Sequence, residues 1–238
     1  MATAQPPAAP AKVSVWEDFI DIFTSPSEVF SRRANGQVWV ALVVIVVLVA
    51  TFVFATTGLF APMREAEFNR MVPEVLKKYP QLTMDQLQQR QATGEKIGWI
   101  IVAIMVPITM LVMGLLTWIV GKFFSAKTTF ADAMTITTYA WIPRLVGLIA
   151  SGIMAALMDA SSMTSRFSAS LSVARFLNPD TTAHTLFMLA GRVDVFIAWQ
   201  TVLYAIGLSS LGKIPRSQAY LAAAILFVLG SLLSLLSP

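Results

Sequence analysis

Arg144, Arg192 and Asp194 each interrupt a stretch otherwise apolar enough to cross a bilayer, and Asp132 stands near the start of one of those stretches. An ionised side chain at the centre of a transmembrane helix costs about 2.5 to 3.5 kcal/mol on insertion scales, so such intramembrane groups are kept for a function or for a structural pairing. Arg144 comes 13 residues, roughly 20 Å, after the start of its stretch, and Asp194 nine residues, roughly 14 Å, after the start of the next one. In antiparallel neighbours these depths nearly add to one bilayer thickness, which predicts that Arg144 and Asp194 face each other. Fixing the register of two helices is the first reading of such a pair, and transport or proton relay the second. Arg192 is expected to snorkel outward. Pro143, directly before Arg144, weakens helix hydrogen bonding and can open carbonyls to a cavity, although a simple kink is the commoner outcome there and at Pro107.

Other chemistry is thin. The chain has no cysteine and one histidine, His184, which removes disulfides, thiolate metal sites and histidine-rich metal sites. No cofactor and no metal are expected, and His184 reads as a solvated helix-end residue. The patterns HExxH, GxSxG and GxxxxGK[ST] are absent, and no carboxylates cluster at membrane depth, which weighs against hydrolases and ATPases and predicts no catalytic residues and no enzyme. An intramembrane transferase with a diffuse site stays open.

The elements that carry these residues follow from composition. Of 238 residues, 56% are hydrophobic and 13% charged, far more apolar surface than a soluble domain can bury. Five apolar stretches, about 38–60, 97–120, 131–158, 185–211 and 217–237, are each long enough to cross a hydrocarbon core of roughly 30 Å. The fold class is all-α: a polytopic membrane protein, a bundle of five transmembrane helices. Residues 1–12 read as a disordered cytoplasmic tail without a cleavable signal peptide. Residues 13–34 place Val15, Trp16, Phe19, Ile20, Ile22 and Phe23 to one side and Glu17, Asp18 and Asp21 to another, as in a short N-terminal interfacial helix broken at Ser25-Pro26. Packing on the helix ends is the equal alternative, and either serine flanking Pro26 can cap a second turn. The membrane domain proper is read as 35–237. It contains a polar insert, 61–96, whose second half opens with the capping-box pattern Thr83-Met84-Asp85-Gln86 and is expected to end its helix at Gly94.

The net charge of +4 is scattered beside apolar runs, so it reports topology and not nucleic-acid binding. Arg32, Arg33, Lys122, Lys127, Lys213 and Arg216 all flank span ends on one face. The opposite face has the mixed insert, a 159–183 loop with only Arg166 and Arg175, and an uncharged C-terminus. The positive-inside rule then puts the N-terminus in the cytoplasm and the C-terminus outside. On span three, Gly147, Ser151 and Ala155 form a small-residue row for close helix packing, as Ala205 with Ser209 and Ala219 with Ala223 do on the last two spans.

Three runs resemble the Yip1 family. They are Phe23-Thr24-Ser25-Pro26-Ser27-Glu28-Val29-Phe30 before span one, Phe130-Ala131-Asp132-Ala133 through Tyr139-Ala140-Trp141-Ile142-Pro143 at span three, and Trp199 through Ile206-Gly207-Leu208 followed by Pro215, Ala219 and Tyr220. The resemblance runs from about residue 15 to 235 and implies a five-helix bundle with a cytoplasmic N-terminus, of the kind found in bacterial inner membranes. It implies little about mechanism, and the Rab-linked vesicle role of eukaryotic relatives does not carry over. The long insert departs from the core family and makes an extracytoplasmic contact surface plausible. Two functions compete: a non-catalytic scaffold or accessory subunit of a membrane assembly, related to transport or to the envelope, and a small oligomeric transporter or channel using the polar pair of spans three and four. The partners expected are the lipid bilayer and a membrane protein or a second copy of the chain.

Overall fold

The computed structural model describes residues 14–235, so the expectation for the 1–12 tail lies outside the described residues. The chain enters through two short helices, α1 (Val15–Thr24) and α2 (Pro26–Arg32). Ser14 opens α1 with a capping box: its hydroxyl accepts the Glu17 amide at 3.2 Å while the Glu17 carboxylate accepts the Ser14 amide at 2.7 Å. Pro26 starts α2 at its first position, where its missing N–H costs nothing. Ser25 occupies the N-cap position but its hydroxyl makes no cap bond, which corrects the expectation for that serine. The chain then turns through Asn35 and Gly36 at φ 63° and 83°. A Cβ on Gly36 would also lie 3.0 Å from the Ala131 Cβ, so both conformation and space require glycine there.

Among the described residues four helical segments are long and apolar enough to cross a membrane, one of them the nearly continuous stretch Phe130–Leu157, and a fifth apolar helix, α3 (Trp39–Ala55), is one residue short of that length class. At 17 residues α3 measures roughly 26 Å, so it needs little tilt. After it, α4 (Ala61–Lys78) lies in the insert, and α5 (Met84–Phe123) carries the chain back. The Thr83–Gln86 capping box forms. Gly94 does not end the helix, because α5 continues for 40 residues, roughly 60 Å, straight into span two and through Pro107. The glycine costs helix propensity, but the apolar run that follows is a far stronger helix driver once immersed in lipid, where every backbone amide must be bonded internally.

The third and fourth stretches are not single helices. Span three divides into α6 (Phe130–Ala140) and α7 (Ile142–Leu157) at Trp141, because Pro143 has no N–H to return to the carbonyl four residues earlier. The turn tightens to compensate: the Trp141 amide donates to the Thr138 carbonyl at 3.3 Å and the Arg144 amide to the Trp141 carbonyl at 3.0 Å. Span four was expected from residue 185, but α8 (His184–Ala190) is a separate seven-residue helix and the span proper is α9 (Val195–Gly212). The last span is α10 (Arg216–Ser234).

Helix α9 is the hub, packed by α10, α6, α7 and α2. Small residues set its close contacts. A Cβ on Gly207 would stand 2.8 Å from Ile136, and Ala205, Ala219 and Ala223 are fully buried at the α9 and α10 surfaces. The span-three row does not serve one neighbour: Gly147 receives Phe196 of α9, whereas Ala155 packs with Met63, Met163 and Ala169 near the insert.

Candidate functional site

The two arginines of the central spans come together in one cavity. The break at Trp141 places Arg144 in the first turn of α7, its guanidinium carbon 5.3 Å from the Trp141 ring centre. Arg192 lies in the link between α8 and α9, which is held by an antiparallel bridge between Ser172 and Asp194 and by the Val173 amide donating to the Val193 carbonyl at 3.0 Å. From there its side chain turns into the bundle, where Nε donates to Ser231 Oγ at 3.4 Å and the guanidinium carbon lies 5.9 Å from the Phe227 ring centre. Gly230 makes the approach possible, since a Cβ there would stand 3.3 Å from an Arg192 nitrogen. The expectation that Arg192 snorkels outward is therefore corrected. The hydroxyl of Ser231 and the ring of Phe227 hold it there.

Both guanidinia line a cavity of about 340 Å³ bounded by α5, the α6–α7 break, α9 and α10. Thr109, Thr137, Gln200, Thr201, Tyr204 and Ser234 supply its other polar groups. Tyr204 is 4% exposed, and its hydroxyl, beside Thr137 and Gln200, has no well-formed hydrogen bond among the described residues. Neither arginine has a carboxylate within ion-pair reach among the described residues. Asp194 does not pair with Arg144 by contact. It is the N-cap of α9, its carboxylate accepting the Phe196 and Ile197 amides at 2.8 and 3.3 Å, and it acts on both guanidinia only through space. The helix terminus outcompetes the arginine because the cap geometry is local and preorganised.

A second polar centre lies at the other end of the bundle. Asp18 is 0% exposed, and its carboxylate accepts Arg32 Nε and Arg33 Nε at 2.6 Å each and the Tyr139 hydroxyl at 3.2 Å. Arg32 also donates to Asp21 at 2.6 Å; burial opposes its charge, but the bonds to Asp21 and Asp18 outweigh that and hold its pKa above the ordinary value. With Asp18 and Ile22 turned inward, α1 leaves Trp16, Ile20 and Phe23 exposed, and Phe23 reaches a hollow beside Val195, Trp199 and Val202. Those α9 residues lie ten or more positions, roughly 15 Å, from the α9 end at Gly212, so the entry helices dip along the bundle and do not lie flat on its end. Asp132 completes this region as a cap: its carboxylate accepts the Asn35 and Thr129 amides at 3.0 and 2.9 Å and the Thr129 hydroxyl at 2.7 Å. It is thus a helix-terminus anchor for α6.

A helical bundle of this order and spacing can be set against known families. The Yip1 domain model matches residues 20–237. The chain belongs to the Yip1 family. Among curated proteins this Yip1 protein is similar to membrane protein YknW of Bacillus subtilis (strain 168), with 26% identity over 220 residues, 91% of this chain and 87% of the relative. No solved structure matches it. The family match begins inside α1 and runs across the insert.

Sequence reasoning about this Yip1 protein found Arg144, Arg192, Asp194 and Asp132, and only the first two meet in one site. It missed Tyr204 and Gln200, although two polar residues four apart on an apolar span share a helix face and were a readable signal. It also grouped Asp18 with Glu17 and Asp21 on the polar side of the entry helix and did not foresee its burial. The signal there was two adjacent arginines one helical hairpin later, able to reach back to a buried acid.

Proposed function

We propose that this protein is a non-catalytic scaffold or accessory subunit of a membrane assembly, seated in a bacterial inner membrane with its N-terminus in the cytoplasm and its C-terminus outside. One observation carries the reading. Helix α5 is about twice as long as a hydrocarbon core is thick, so its first turns and α4 stand outside the bilayer as a helical hairpin. The hairpin is braced, not loose. Arg64 ties its base to Glu95 and to the Thr57 carbonyl, at 3.4 and 2.6 Å, and Arg70 binds Asp180 at 2.6 Å and the Thr164 carbonyl at 3.0 Å. Met71, Glu74 and Lys78, at helical spacing on one face of α4, remain exposed for a partner.

The test is affinity purification of the tagged protein from its host membrane with mass spectrometry of what stays bound. A stoichiometric membrane partner is expected, lost on replacing Met71, Glu74 and Lys78 by alanine, while Arg144→Ala mainly lowers abundance. A small oligomeric transporter is the second reading, favoured by the arginine cavity, and it predicts the reverse: flux lost at normal abundance in Arg144→Ala and no effect of the hairpin. Against a through-channel, the cavity is floored by Thr137 and Tyr204, below which Ile136 and Leu208 are fully buried.

A further inference from the structure

We propose that the arginine cavity binds the phosphodiester headgroup of an anionic membrane lipid while the acyl chains stay in the bilayer. The donors fit that group. Guanidinium is a planar fork matched to phosphate oxygens, and Arg144 and Arg192 offer two of them with no carboxylate in contact among the described residues. Tyr204, nine-tenths buried and without a well-formed hydrogen bond at its hydroxyl, and the Gln200 amide add neutral donors at the cavity floor. The charge fits as well. With Asp194 acting through space on both arginines, two cations and one anion leave a single positive charge, which the one negative charge of a phosphodiester cancels.

The route is lateral. Ile108 and Val112 of α5 and Leu233 of α10 line the cavity and are also exposed on the outer surface of the spans, so the mouth opens towards hydrocarbon. Ser234, the last residue of α10, also lines the cavity, so a water-borne anion is the competing occupant, whereas a lipid needs only to slide its headgroup inward past the exposed apolar rim. The volume, about 340 Å³, is at the small end of the roughly 300–1,000 Å³ usual for ligand pockets and suits a headgroup without its chains. This inference stands apart from the accessory-subunit reading, since a partner can be absent and the lipid present, or the reverse.

The experiment uses the full chain in nanodiscs containing equal phosphatidylglycerol and phosphatidylcholine, released for native mass spectrometry, with inorganic phosphate as a competitor. Wild type is expected to retain phosphatidylglycerol over phosphatidylcholine by tenfold or more, and inorganic phosphate is expected not to displace it. Arg144→Gln and Arg192→Gln should each weaken retention about tenfold, the scale of one charge-assisted hydrogen bond, and Tyr204→Phe a few-fold. Equal retention of the two lipids by wild type overturns the proposal without any variant. So does displacement by inorganic phosphate, which assigns the site to a free anion, and so does undiminished retention in a folded Arg144→Gln, Arg192→Gln double variant. Should Arg144→Gln fail to fold, Arg192→Gln and Tyr204→Phe carry the comparison.

Discussion

Replacing Asp18 with alanine removes the acceptor that joins α1, α2 and α6. Its carboxylate is fully buried and takes bonds from Arg32 and Arg33 at 2.6 Å and from Tyr139 at 3.2 Å. Deleting one partner of a buried ion pair costs about 3–5 kcal/mol, because the remaining charge is left desolvated. Arg32 keeps Asp21 at 2.6 Å, so the lower end applies, about 3 kcal/mol or roughly two decades in the unfolding equilibrium. Tyr139→Phe removes one long bond to a charged group and should cost about 1.5 kcal/mol. In an Asp18→Ala background it should cost almost nothing, since the acceptor is already gone. The assay is equilibrium unfolding of the purified chain in bicelles across the double-mutant cycle, with Glu28→Ala, an exposed α2 carboxylate, as the control expected to stay within about 0.5 kcal/mol of wild type. The reasoning fails if Asp18→Ala matches Glu28→Ala, or if Tyr139→Phe costs the same in both backgrounds.

Gly94→Ala should stabilise the chain by about 0.8 kcal/mol, because Gly94 lies inside a continuous helix with nothing within 4 Å of a new Cβ; a loss of thermal stability in detergent would mean that the helix does end there. Gly147→Ala should destabilise by about 1–3 kcal/mol, its Cβ falling 2.8 Å from the Phe196 ring at the α7–α9 contact, and the melting temperature reads it directly. Arg70→Ala should cost about 1 kcal/mol or less overall, as a partly exposed pair, yet it should hasten proteolytic cleavage within 159–183 by freeing that loop from α4; unchanged cleavage kinetics would refute the brace.

The bilayer makes hydropathy an almost direct readout of helical spans, and so the apolar stretches and the all-α class were legible in the residues themselves. Lipid offers no hydrogen bonds, and long uncharged runs have no other stable structure there than a helix. Local chemistry was legible where both partners sit within a turn, as at the Thr83–Gln86 capping box. The breaks within spans were only half visible: Pro143 marked one, while the link before Asp194 carries no proline and arises because that side chain caps α9 better than it continues a helix. The pairing of charges was not legible at all. Depth along two helices placed Arg144 opposite Asp194, but depth fixes height and not rotation, and rotation is set by the packing of Gly147 on Phe196, Gly207 on Ile136 and Gly230 beside Arg192. Asp18 illustrates the same limit, since its helical periodicity assigned it to the polar face and could not tell whether that face met water or two arginines and a tyrosine. The sequence by itself determined that this chain must be a membrane bundle and which few charges that bundle must tolerate. Tertiary structure alone decided which of them meet, because side chains of opposite or like charge are brought together by the rotation of whole helices about their axes, a quantity settled by contacts between residues far apart in the chain.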